Sequence, residues 1–183
     1  NWKTNYKLKR LQLFLFVIIT QVFILNNIQF SGYINPYYYI IFILTIPLGT
    51  NRGFFLIQSF LIGFIIDVFS NTYGLHSFAC VLASYIQLLL KNKINNSKEG
   101  EESLIIINFP MERFIFISFI FISIHHFTLF FLETFSLKSI LKTLTTTISS
   151  GVFTLLLLTI HKVFISNKRW DVMIYMRIEN TLS

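Results

Sequence analysis

Six apolar stretches joined by short connections fill this chain, and the positive charge gathers on alternate connections. A span needs roughly 20 mostly apolar residues to cross a hydrocarbon layer about 30 Å thick. Six of them nearly exhaust 183 residues and leave no room for a water-soluble domain. Only helices or closed barrels satisfy their own backbone in lipid. These stretches are continuous rather than alternating, so they read as helices. The expected fold is all-α: a polytopic membrane protein with six transmembrane helices over 8–28, 33–48, 54–69, 74–90, 109–131 and 141–166. Residues 1–169 form a single domain. Residues 170–183 form a short cytoplasmic tail.

Composition agrees. Charged residues are 13% of the chain, about half the usual share of a soluble domain, and the mean hydropathy is +0.66. The first apolar run has a basic lead like a signal peptide but no convincing small-residue cleavage site, and five more runs follow it. It is expected to be retained. A lone cysteine, Cys80, excludes an internal disulfide framework.

The charges set the orientation, because cytoplasmic connections carry excess Lys and Arg. Lys3, Lys7, Lys9 and Arg10 precede the first span, and Arg52 sits between the second and third. Lys91, Lys93, Lys98 and Arg113 surround the fourth connection. Lys162, Lys168, Arg169 and Arg177 close the chain. Only Lys138 and Lys142, of 15 basic residues, fall on the other side. With six spans this places both termini in the cytoplasm. The formal charge of +7 is then a topology signal that also favours anionic lipid. It is not a nucleic-acid footprint.

The second span is the weakest. It is short and ends at Pro47, which removes a backbone donor. A re-entrant segment is the alternative, and it would put the termini on opposite sides. Tyr37, Tyr38 and Tyr39, with Tyr33, are expected at the outer headgroups, and Trp2 and Trp170 at the inner ones. Trp170, Met173, Ile174 and Ile178 share a helical face, so the tail is either a surface-lying helix or a frayed end.

Polar groups inside spans need a reason. Ser59, Gly63 and Asp67 recur every four residues on one face of the third span. His76, Cys80, Ala83 and Gln87 line the fourth. Ser118, His125, His126 and Glu133 lie in the fifth, and Thr143, Thr147, Ser150, Thr154 and His161 in the sixth. Inward-facing stripes of this kind pack helices closely and bond them together. Asp67 and His76 are expected to join the third and fourth spans across their turn, and an Asn at 67 to serve nearly as well. His76, His125, His126, Asp67 and Glu133 could ligate a divalent metal by residue type. However, adjacent His125 and His126 diverge by about 100° on a helix, and interhelical hydrogen bonding is the favoured reading. No metal or other cofactor is expected, and no nucleophile stands at a useful spacing from a base. The chain does not read as an enzyme.

The stretch Gly63-Phe64-Ile65-Ile66-Asp67-Val68-Phe69, followed by Gly74-Leu75-His76-Ser77-Phe78-Ala79, resembles the rod-shape-determining membrane protein family MreD. His125-His126-Phe127 with Glu133 resembles it too. The tail after Arg169 has no counterpart. The resemblance implies a bacterial inner-membrane scaffold of the cell-elongation machinery that controls shape and peptidoglycan synthesis. The implied partners are an MreC-like single-span protein, the actin-like MreB filament and the peptidoglycan synthases. It also implies a fold similar to the S-component of energy-coupling-factor vitamin transporters. From that follows an alternative function, a substrate-binding transporter component with a pocket open to the outside.

Overall fold

The computed structural model describes residues 2–28, 34–94 and 105–182, with side chains described over 8–28, 34–90 and 105–164. Among the described residues six α-helices follow one another: α1 (Trp2–Ile19), α2 (Ile40–Leu44), α3 (Arg52–Ser70), α4 (Leu75–Ile94), α5 (Met111–Thr134) and α6 (Ile140–Leu182). No strand occurs among the described residues. α1 continues through a π turn, Thr20–Ile24, and a 3-10 turn, Leu25–Asn27. Among the described residues, Leu8–Asn27, Arg52–Ser70, Met111–Thr134 and Leu137–Phe164 are the 4 stretches long and apolar enough to cross a membrane, and Leu75–Leu90 is a shorter apolar helix.

The surface differs from that of a water-soluble bundle: large apolar side chains are exposed, while polar ones are buried beside an apolar core. Ser59, Ser84, Ser118, His125, His126, Ser150 and Thr154 are buried, while Phe23, Phe116, Ile148 and Val68 are exposed. A soluble protein rarely exposes so much contiguous apolar surface. In lipid the arrangement is stable, because the surroundings are as apolar as the side chains and polar groups must find one another. Membrane residence follows from this pattern.

α3 packs on α4, α4 on α5, and α5 on α6. Two ends of the bundle can be distinguished. At the upper end, Asn26 donates to Ser70 Oγ at 3.0 Å, and the α3–α4 turn lies beside the end of α5. At the lower end, Arg10 donates to Gln58, and Lys162 donates to the carbonyls of Ile107 and Phe109. Lys162 is buried and also lies 4.6 Å from the Phe114 ring centroid. It therefore ties α6 to the chain entering α5 rather than standing free in solvent.

The second expected span is the main correction. Instead of a helix over 33–48, the chain is irregular at its start, turns at Tyr37–Tyr39, forms five residues of α-helix, Ile40–Leu44, and then turns through Pro47 and Thr50. It runs from the upper end, beside α6, to the lower end at Asn51. Ile40, Ile41, Ile43, Leu44, Ile46 and Leu48 are all fully buried. The segment is enclosed by the longer helices rather than facing lipid. Pro36 and Pro47 bracket it, and each removes a backbone donor that a longer helix would use. Irregular backbone is tolerated at membrane depth only where protein surrounds it.

The tyrosine expectation falls with it. Tyr37, Tyr38 and Tyr39 are buried inside the bundle, not at headgroups. Tyr33 and the polar connection from Asn95 through Glu102 lie outside the described residues. The backbone of α6 continues through 170–182 without a break. The side chains of that expected tail, Trp170 included, lie outside the described residues.

Candidate functional site

Irregular backbone inside lipid must find partners for its N–H and C=O groups. Here side chains from two helices supply them. Asn35 N–H donates to Ser150 Oγ at 3.0 Å, and Tyr37 N–H to Thr154 Oγ1 at 3.0 Å, both on α6. From α1, Gln21 accepts the Tyr38 N–H at 2.8 Å and donates to the Pro36 carbonyl at 3.0 Å. Gln21 sits in the π turn, Thr20–Ile24, an irregularity that often marks functional positions.

The three tyrosines then reach outward. The Tyr39 hydroxyl lies 2.8 Å from Nδ1 of His76 and 2.8 Å from Nε2 of His125. His125 and His126 approach through their Nδ1 atoms at 3.4 Å. Nε2 of His126 lies 3.1 Å from Thr154 Oγ1. Tyr39 has one hydroxyl proton, so it donates to one histidine and accepts from the other. A single chain of polar contacts therefore links α4, the 34–51 segment, α5 and α6. Tyr38 separately bonds Nδ1 of His161 on α6. The Tyr37 ring packs edge-on against His76 and His126, with centroids 5.1 Å away in each case.

Asp67 performs a different task. Its Oδ1 accepts from the His76 N–H at 2.9 Å and from Thr72 Oγ1 at 2.6 Å. Its Oδ2 accepts from the Ser77 N–H at 2.8 Å and from Ser77 Oγ at 2.5 Å. The carboxylate thus closes the start of α4, where unpaired N–H groups and the helix dipole favour negative charge. Gly63 lies one turn below it. A Cβ at Gly63 would stand 2.6 Å from the Ser77 Cα, so only hydrogen allows this approach. One turn further, Ser84 donates to Ser59 Oγ at 2.8 Å. The expected stripe Ser59–Gly63–Asp67 is therefore the α3–α4 seam. Gly74 closes the turn at a φ of 96°, a conformation suited to glycine.

The structure divides the expected site residues into three places. Gly63, Asp67 and Gly74 form the seam. His76, His125 and His126 meet around Tyr37 and Tyr39. Glu133 stands apart, exposed at the upper end of α5. Among the described residues, no three metal-ligating side chains converge on one point. Sequence reasoning missed Tyr39 as the hub and Gln21 as the backbone partner. The available signals were an amide inside an otherwise apolar run and three consecutive tyrosines after Pro36.

Above the tyrosines a polar recess of about 330 Å³ opens at the upper end. Gln21, Asn26, Asn35, Tyr37, His76 and Glu133 line it, with Leu25 and Phe69. A neighbouring recess of about 220 Å³ shares Asn35 and Glu133 and includes Lys142.

Comparison with known proteins gives no match to a family model, a curated protein or a solved structure.

Proposed function

We propose that this chain is a scaffold of the bacterial cell-elongation complex, embedded in the inner membrane by six crossings with both termini in the cytoplasm. In this reading the enclosed 34–51 segment is the second crossing, and the fold is similar to an S-component. The observation that carries the reading is the use made of the polar groups. Those in the seam and around Tyr39 bond helix to helix, which fixes one rigid shape and leaves broad apolar faces toward lipid. The residues of the MreD resemblance, Gly63 to Phe69 and Gly74 to Ala79, lie in and around that seam. Such a body offers partners its helix faces and little else.

The expected partner is an MreC-like single-span protein, which connects the scaffold to the MreB filament and the peptidoglycan synthases. Association in lipid depends on close packing and interhelical hydrogen bonds. A pull-down in mild detergent should therefore recover the full-length partner and lose most of it when the partner's spanning helix is deleted. Equal recovery of both forms would overturn the scaffold reading. The upper recess favours a second reading, the small-solute component of a transporter, which predicts saturable solute uptake and no dependence on such a partner.

A further inference from the structure

The recess at the upper end differs from the rest of the interior because part of its polar lining is not consumed by packing. Gln21 is committed to Pro36 and Tyr38, and Asn26 to Ser70 and Gln21. Two other groups are not so committed. His76 is 4% exposed, and its Nδ1 is taken by Tyr39. Its Nε2 has no hydrogen-bond partner among the described residues. At the mouth, the Glu133 carboxylate has neither a hydrogen bond nor an ion pair with any described residue. Asp67, the nearby alternative anion, has both oxygens saturated by four donors. No lysine or arginine lines this recess; the nearest, Lys142, lines the neighbouring recess on the far side of Glu133. The recess therefore presents one acceptor-only carboxylate and one imidazole nitrogen. Its volume, about 330 Å³, lies at the small end of the range of roughly 300–1,000 Å³ for ligand pockets.

We propose that this recess binds a small amine-bearing solute, with its protonated nitrogen on the Glu133 carboxylate and a hydrogen-bonding group on Nε2 of His76. The charge selects a cation. The limited volume selects a compact one. The assignment rests on the recess alone and stands or falls separately from the scaffold reading, which a partner pull-down tests.

Calorimetric titration of the full chain in detergent tests it, with ethanolamine, putrescine and choline as probes. Ethylene glycol and acetate serve as the uncharged and anionic comparators. At least one amine should bind saturably while neither comparator does. Glu133→Gln should weaken that binding roughly tenfold to a hundredfold, the range expected for losing a charged hydrogen bond. Glu133 is exposed and unbonded, so the variant should keep the native melting profile. Leu25→Trp, which fills the recess from its apolar wall, should abolish binding. Amine binding unchanged in Glu133→Gln, glycol binding as tight as the amines, or no saturable amine binding would each overturn the proposal.

Discussion

The α3–α4 hairpin and the 34–51 segment solve the same problem in opposite ways. Both lie at membrane depth, where an unpaired backbone group costs several kcal/mol. The hairpin solves it locally. Its helices satisfy their own ladders, Asn51 caps α3 by accepting from Gly53 and Phe54, and Asp67 closes α4 from 9 and 10 residues away. The 34–51 segment solves it remotely. Its irregular backbone borrows Gln21 from the π turn after α1 and, 115 and 117 residues away, Ser150 and Thr154 from α6. A local solution survives on its own sequence. A borrowed one exists only once the bundle has closed, so the two regions should fail in different ways.

The largest effect is expected in the hairpin at Gly63. Gly63→Val would force a side chain into the Ser77 backbone. Backbone cannot yield as a flexible side chain does, so the loss should reach about 3 kcal/mol, the upper part of the overpacking range. Thermal or denaturant unfolding in detergent should show it, and retained stability would mean that α3 and α4 are not this close.

Next comes the borrowed backbone. Gln21→Leu leaves the Tyr38 N–H and the Pro36 carbonyl without their partner. The expected cost is about 2 kcal/mol, given roughly 1–3 kcal/mol for an orphaned buried group and some local relaxation. The damage should be confined to the 34–51 segment, with α3 and α4 intact by limited proteolysis. Loss of all protected fragments together would erase the distinction drawn between the two regions.

Asp67→Asn should be the mildest, at about 1 kcal/mol. The geometry revises the expectation that an amide would serve nearly as well. Each carboxylate oxygen accepts from two donors, and an Asn would present an NH₂ group to one of those pairs. Asp67→Asn should therefore be measurably weaker than the native protein in unfolding experiments, and Asp67→Leu weaker still. Equal stability of native and Asn forms would show that the charge is idle.

The same contrast explains what could be read in the sequence. The third and fifth spans were legible within a few residues, because unbroken apolar runs between caps fix regular helices. The Ser59–Gly63–Asp67 stripe was legible because its four-residue spacing puts those side chains on one face. The second span was not, because its conformation depends on side chains far along the chain that local hydropathy does not register. Tyr37, Tyr38 and Tyr39 looked like headgroup anchors for the same reason. Their partners His76, His125, His126, Thr154 and His161 were each visible as polar residues in apolar runs. Nothing local linked them to a segment that had been taken for a lipid-facing helix. Glu133 was grouped with the histidines by residue type, but its place in the last turn of α5 puts it on the rim.

The central claim is that a broken segment, with only the short helix Ile40–Leu44 in it, lies sealed inside the bundle with its irregular backbone held by side chains. Hydrogen–deuterium exchange of the native protein in lipid nanodiscs, followed on peptides covering 34–51, tests it most directly. The amides of Tyr37 and Tyr38 should exchange as slowly as those in the middle of α3, and both should accelerate in Gln21→Leu and Thr154→Val. Fast exchange of these amides in the native protein, at the rate of an exposed connection, would contradict the account.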